Sequence, residues 1–163
     1  MSLSIRNATE ADAAAICAIY NPFVLETSVS FETEPIAPAT MAARIGDVTA
    51  TYPWLVAEDA DGVLGYAYAN RWRQRNAYAR TVETTIYLHR ARTGSGVGRV
   101  LYAALLDELR ERGFHVALGC IALPNPQSVA FHERCGFEKV AHFAEVGRKF
   151  DRWVDVGFWQ LRL

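Results

Sequence analysis

Residues 81–100 read TVETTIYLHRARTGSGVGRV, and the fold class is decided there. Val82, Thr84, Ile86 and Leu88 alternate with Glu83, Thr85 and Tyr87, which is the period of a strand with two different faces. The strand reads from Tyr78 to Leu88. Thr93-Gly94-Ser95-Gly96-Val97-Gly98 then opens a helix with an apolar stripe of Val97, Val100, Leu101, Ala104, Leu105 and Leu109, stopped by Gly113. A strand that passes through a glycine loop into a helix presents unpaired N–H groups and the positive end of the helix dipole. That is a site for an anion.

Outward from this unit the chain alternates in the same way. Leu3 to Arg6 is a short strand, and Thr9 with Asp12 forms a short-armed capping box for a helix through Ala13, Ile16, Cys17 and Tyr20. Asn21-Pro22 is expected to end that helix. Val29-Ser30-Phe31 reads as extended, and a second helix runs from about Ala39 to Ala50. Trp54 to Glu58 and Val63 to Arg71 are strands joined by a tight turn at Asp59-Ala60-Asp61-Gly62. Beyond Gly113 come a strand, Val116 to Ala122, a helix from Pro124–Ser128 to Cys135, and two strands, Phe137 to Val146 and Trp153 to Leu161. The order is β, two helices, three strands, helix, strand, helix, two strands. This predicts an α/β fold with one mixed central sheet and excludes a doubly wound fold.

Composition sets the outer limits. The 163 residues make one domain, 1–163, and are too few for two ordinary ones. Hydrophobic residues are 51% and charged residues 21%, which argues against disorder. The 17 basic and 18 acidic side chains nearly cancel, so nucleic acid is not an expected partner. No apolar run is long enough for a membrane span, and no signal-peptide pattern opens the chain. Cys17, Cys120 and Cys135 are odd in number and widely spaced, so neither a disulfide framework nor a metal site is expected, and a cytoplasmic location is.

The loop alone leaves its ligand open. Arg99-Val100 follow the last glycine where a Walker loop needs Lys-Ser/Thr, and Arg99 stands where a dinucleotide fingerprint needs its third glycine. A plain tight turn is the remaining alternative. Taken together, however, Ile86-Tyr87-Leu88, the G-x-G-x-G loop with its helix, Asn125 with Ser128, and Cys135-Gly136-Phe137 resemble the GNAT N-acetyltransferases across nearly the whole chain. The resemblance implies a GNAT fold of about seven strands flanked by about four helices, with acetyl-CoA as co-substrate. It implies that Gly94, Ser95, Gly96, Val97, Gly98 and Arg99 hold the pyrophosphate, that Ile86, Tyr87 and Leu88 pair with the pantetheine arm, and that Asn125 and Ser128 hydrogen-bond the cofactor. Thr93 occupies a loop position where the family usually has Gln or Arg, and neighbouring Arg92 is the expected substitute.

Within that superfamily the chain is similar to the phosphinothricin N-acetyltransferase group, with its methionine sulfone and sulfoximine acetylating relatives. Ile19-Tyr20-Asn21, Ser30-Phe31-Glu32-Thr33-Glu34-Pro35, Tyr52-Pro53-Trp54-Leu55-Val56-Ala57, Arg75-Asn76-Ala77-Tyr78, Thr81-Val82-Glu83 and Asp155-Val156-Gly157-Phe158-Trp159-Gln160 carry the match. As a lone strand residue, Glu83 reads as solvent-facing. Its place in the Thr-Val-Glu segment implies the general base that frees an amine lone pair. His132 stands five residues before Phe137, where many relatives have the acid that protonates the leaving thiolate, and imidazole can act as acid or base.

Arg73 and Arg75 read by themselves as a solvated basic loop, and by the resemblance as binders of an acidic acceptor, together with Phe31, Glu83 and Thr85. Tyr20, Phe31, Trp72, Tyr78 and Trp159 are candidate walls of the acceptor pocket, each with a core role as the alternative. Neither Cys120 nor Cys135 has a His–Asp partner pattern, so direct transfer is expected. The readings in play are a small-amine acetyltransferase, an enzyme acting on a protein N-terminus, lysine or polyamine, and a non-catalytic acyl-CoA-binding module. The Arg73/Arg75 pair counts against a cationic polyamine. The group resemblance also implies a homodimer.

Overall fold

The computed structural model describes residues 2–163. Seven strands form one sheet: β1 (Ser4–Asn7), β2 (Trp54–Asp59), β3 (Gly62–Arg71), β4 (Thr81–Leu88), β5 (Val116–Leu123), β6 (Glu138–Lys149) and β7 (Arg152–Arg162). They lie in the order β1-β2-β3-β4-β5-β7-β6, and all neighbours are antiparallel except β4 and β5. The helices are α1 (Ala13–Glu26), α2 (Pro38–Thr49), α3 (Val97–Glu111) and α4 (Pro126–Arg134). This is the element order that the sequence pattern predicts.

The alternation of β2, β3 and β4 divides the core in two. Val56, Trp54 and Tyr66 face α1 and α2, where Ile16, Val24, Met41 and Ile45 close the layer. Leu55, Ala67, Ala69 and Val82 face α3, whose Leu101, Leu105 and Leu109 are fully buried. Burying each such leucine contributes about 1.5–3 kcal/mol. The expected α3 stripe shifts: Val100 is exposed, and Tyr102 and Leu106, outside that stripe, are buried. Tyr102 is held there by a 2.6 Å hydrogen bond between its hydroxyl and that of Thr84.

Two local expectations fail. α1 does not end at Pro22 but runs on to Glu26. Proline removes one helical hydrogen bond and costs about 3 kcal/mol. Here Val24 is buried beyond it, and the Asn21 side chain ties the helix to both backbone groups of Ile36 at 2.8 and 2.9 Å. Val29-Ser30-Phe31 forms no strand; it is a bent loop in which Glu32 N–H donates to Ser30 Oγ at 3.2 Å. No helix among the described residues is long and apolar enough to cross a membrane.

Candidate active site

Among the described residues β4 and β5 are the only parallel neighbours in the sheet, and they stay together for four rungs. Thr81–Thr84 pair with Val116–Gly119, whereas β4 continues against β3 to Leu88 and β5 continues against β7 to Leu123. Past Thr84 and Gly119 the two strands part, so the Thr85–Leu88 edge facing β5 has no strand partner. Backbone N–H and C=O groups need partners, and such an edge can take an extended amide-bearing ligand.

At the end of that edge the chain enters the glycine loop. Gly96 is the α3 N-cap with φ 86° and no side-chain cap, and Gly94 has φ 79°. Both glycines face open space, so their left-handed backbone, unfavourable for other residues, leaves the first amides of α3 accessible to an anion. Gly98 has a different task. A Cβ there would lie 3.0 Å from Leu88 Cδ1, so it lets α3 pack closely on β4. Arg99 is exposed in the first turn of α3. Arg92 is drawn away from its expected role by Asp59 and Asp61, at 3.3 and 3.6 Å. Asn125 caps α4 by accepting from Ser128 N–H at 3.1 Å. The helix-start role is therefore the one its geometry displays.

On the α1/α2 side of the sheet lies a cleft of about 760 Å³. Its wall is aromatic: Tyr20, Phe31, Trp54, Tyr66, Tyr68 and Tyr87 line it, with Trp54 stacked on Tyr68 at 4.1 Å. Thr85, Asn70 and Cys120 line the end near β5, and Arg44 and Asp47 of α2 line the other. Of the residues expected to bind an acceptor, Thr85 and Phe31 line this cleft. Tyr87 turns its ring into this cleft as well as offering its backbone at the parted edge.

Glu83 is half-buried on the same face of β4 as Thr85, one rung before the strands part. Burial pushes its carboxyl above the ordinary value, and the Cys120 thiol, within reach on β5, partly offsets this. The thiol itself is pushed up to about 12 by burial and by Glu83. A thiol in that state is a poor nucleophile.

His132 is buried on the opposite face. Its Nδ1 lies 2.8 Å from Ser128 O, which fixes that nitrogen as the donor and leaves the Nε2 lone pair over Gly119. Tyr102, Phe131 and Phe137 surround the ring, and burial holds it below the ordinary histidine value. Glu83 and His132 therefore flank the parting point from opposite faces.

Other candidates stand elsewhere. Arg73 and Arg75 are exposed on the loop after β3, three and five residues past Asn70, and neither lines the cleft. Arg73 lies over the Trp72 ring at 5.0 Å. Trp72 and Tyr78 pack on each other at 5.1 Å, and Trp159 belongs to the α3 core, so these three rings do not wall the cleft. Sequence reading missed Arg44, Glu32, Ser30, Tyr66, Tyr68, Asn70 and Cys120. Period two along β3 puts Tyr66, Tyr68 and Asn70 on one face and could have found them. Nothing local distinguishes Arg44.

Parted parallel strands, a glycine-led helix start and a half-buried carboxyl at their junction define a group-transfer enzyme of the acetyltransferase type. The chain belongs to the GNAT acetyltransferase family: residues 5–157 match the model described as Acetyltransferase (GNAT) domain. It is 41% identical over 158 residues to phosphinothricin N-acetyltransferase of Streptomyces viridochromogenes, covering 97% of this chain and 86% of that protein. It is also 41% identical over 166 residues to the L-methionine sulfoximine/L-methionine sulfone acetyltransferase of Pseudomonas aeruginosa, covering 100% and 96%. A putative acetyltransferase from Salmonella typhimurium, solved with its cofactor acetyl-CoA, superposes with a TM-score of 0.95 at 38% identity, covering 100% of this chain and 95% of that one.

Proposed function

We propose that this protein transfers the acetyl group of acetyl-CoA directly to the amino group of a small amino acid analogue of the phosphinothricin, methionine sulfone or methionine sulfoximine type, in the cytoplasm. The observation that carries the reading is Glu83, a half-buried carboxyl at the junction of an aromatic cleft and an unpaired strand edge.

The chain's residues fit acetyl-CoA. The amides of Gly94 and of Gly96–Arg99 suit its pyrophosphate, whereas Ser95 N–H is already given to Arg92 O at 3.3 Å; the Ile86–Leu88 backbone suits its pantetheine amides, and Ser128 lies at the start of α4. When bound, it would supply an acyl carbon already activated as a thioester, and its thiolate would leave as the C–N bond forms and take the second proton of the acylated amine. Glu83 takes the proton of the acceptor ammonium, and its raised proton affinity makes it a better base than a solvated carboxylate. Neutral His132, with Nδ1 committed to Ser128 O, accepts a hydrogen bond at Nε2 beside the parting point. Arg73 and Arg75, on the loop beyond Asn70, attract the acceptor's carboxylate to the β3–β4 end of the cleft.

The homodimer reading draws support from the β6–β7 hairpin, which exposes Phe143, Val146, Phe150 and Trp153. The deciding experiment measures thiol release from acetyl-CoA with phosphinothricin, methionine sulfone, methionine sulfoximine, glutamate and a polyamine. Release with the first three supports the reading. Release only with the polyamine, or with none of them, removes it.

A further inference from the structure

The α2 end of the cleft carries a charge arrangement that no part of the acetyl-transfer chemistry requires. Arg44, the only cation that lines the cleft among the described residues, gives both terminal nitrogens to Glu32, at 3.0 and 2.6 Å. The Tyr20 hydroxyl also donates to Glu32 and lies 2.6 Å from Ser30 Oγ. Behind this wall the buried Lys149 gives its Nζ to Ser30 O at 2.7 Å. Arg44 holds the Glu32 carboxyl below the ordinary value, so it is ionised at neutral pH. Asp47 lines the same end, one helical turn beyond Arg44.

Both positive groups are therefore already engaged, and an incoming anion would meet Glu32 and Asp47. To reach Arg44 it would have to displace Glu32, leaving a carboxylate stranded beside Tyr20. A cationic side chain would in turn be set against Arg44 and Lys149. The remaining surface is aromatic, suited to a side chain without net charge.

We infer that this end of the cleft selects an acceptor side chain that is uncharged, apolar or dipolar as in a sulfone or sulfoximine, over an anionic phosphinate, and that the Glu32–Arg44 pair sets the selection. The inference rests on the reading of this cleft as the acceptor site. It narrows that reading to one class of acceptor, with Glu32 as a specificity-determining residue.

The test compares kcat/KM for methionine sulfone and phosphinothricin, with calorimetric binding of the same two compounds measured in parallel. In the unaltered protein the sulfone is favoured by about tenfold or more. Glu32→Gln leaves the Arg44 charge uncompensated, and the ratio drops by about tenfold as phosphinothricin gains. Asp47→Asn breaks no ion pair and moves the ratio the same way by a few-fold, which keeps the test valid if Glu32→Gln folds poorly. Equal preference or preference for phosphinothricin in the unaltered protein, or a ratio unmoved by both substitutions, overturns the inference. Absence of thiol release with every acceptor removes the acetyltransferase reading instead, and the calorimetric ratio then still decides the charge question.

Discussion

Thr84 and Gly119 form the last rung of the parallel β4–β5 pair, and His132 stands directly over Gly119. A Cβ on Gly119 would lie 2.8 Å from His132 Cδ2 and 2.9 Å from Nε2. The ring cannot retreat, because Tyr102, Phe131 and Phe137 pack around it with centroids 5.4–5.6 Å away. Gly119→Ala is thus expected to destabilise the protein by about 1–3 kcal/mol through overpacking, read as a lowered Tm. In the double variant with His132→Ala the space returns, and its loss should be smaller than the sum of the two single-variant losses. Strict additivity would mean that the contact is not tight.

For Glu83, the role proposed for it as base runs against stability. Burial raises its folded-state pKa, so its neutral form suits the folded protein better than its anion does. The stability it contributes is present below the unfolded value and is lost as pH rises through the folded one. Glu83→Gln should therefore raise Tm at pH 7–8 relative to the unaltered protein and leave it nearly unchanged at pH 4. The same substitution should lower kcat by about 10²–10⁴-fold with the KM for acetyl-CoA unchanged. Near-normal turnover would remove Glu83 as the base.

The two candidate titrating groups can be separated by pH. Burial moves Glu83 up from 4.5 and His132 down from 6.5, so their limbs approach each other in the acid range. His132→Phe should remove one limb below pH 6.5 and leave the limb that disappears in Glu83→Gln. A pH–rate profile unchanged by His132→Phe would show that this imidazole does not titrate in the reaction.

These contrasts show what the sequence could and could not convey. Short-range periodicity carried the element order, both faces of β4 and the glycine loop, because each depends on neighbours within a few residues. The failure at Pro22 has the opposite cause: Asn21 is anchored to Ile36 across the α1–α2 connection, and that contact outweighs a local breaker. The aromatic candidates Trp72, Tyr78 and Trp159 carry the same local signal as Tyr20 and Phe31; the fold separates them by leaving Trp72 and Tyr78 on the β3–β4 connection and turning Trp159 into the α3 core. Arg92 looked available for an anion, yet the β2–β3 turn supplies Asp59 and Asp61 to it. Arg44 was invisible for the same reason, since its partner Glu32 is 12 residues away on a loop.

Lys149 shows how far such long-range contacts reach. It ends β6, 119 residues after Ser30, and its ammonium fixes the Ser30 carbonyl at 2.7 Å. Two residues earlier, Gly147 lies against the Phe31 ring so closely that any Cβ there would overlap it. The hairpin thus holds the loop that brings Phe31 and Glu32 to the cleft. Lys149→Met keeps the apolar stem but leaves the Ser30 carbonyl without this donor, at a cost of about 1–3 kcal/mol. If the contact positions the acceptor wall, the variant should raise the KM for the acceptor several-fold while the KM for acetyl-CoA, read on the glycine-loop side, stays constant. Equal losses for both substrates would instead mean that Lys149 supports the fold as a whole.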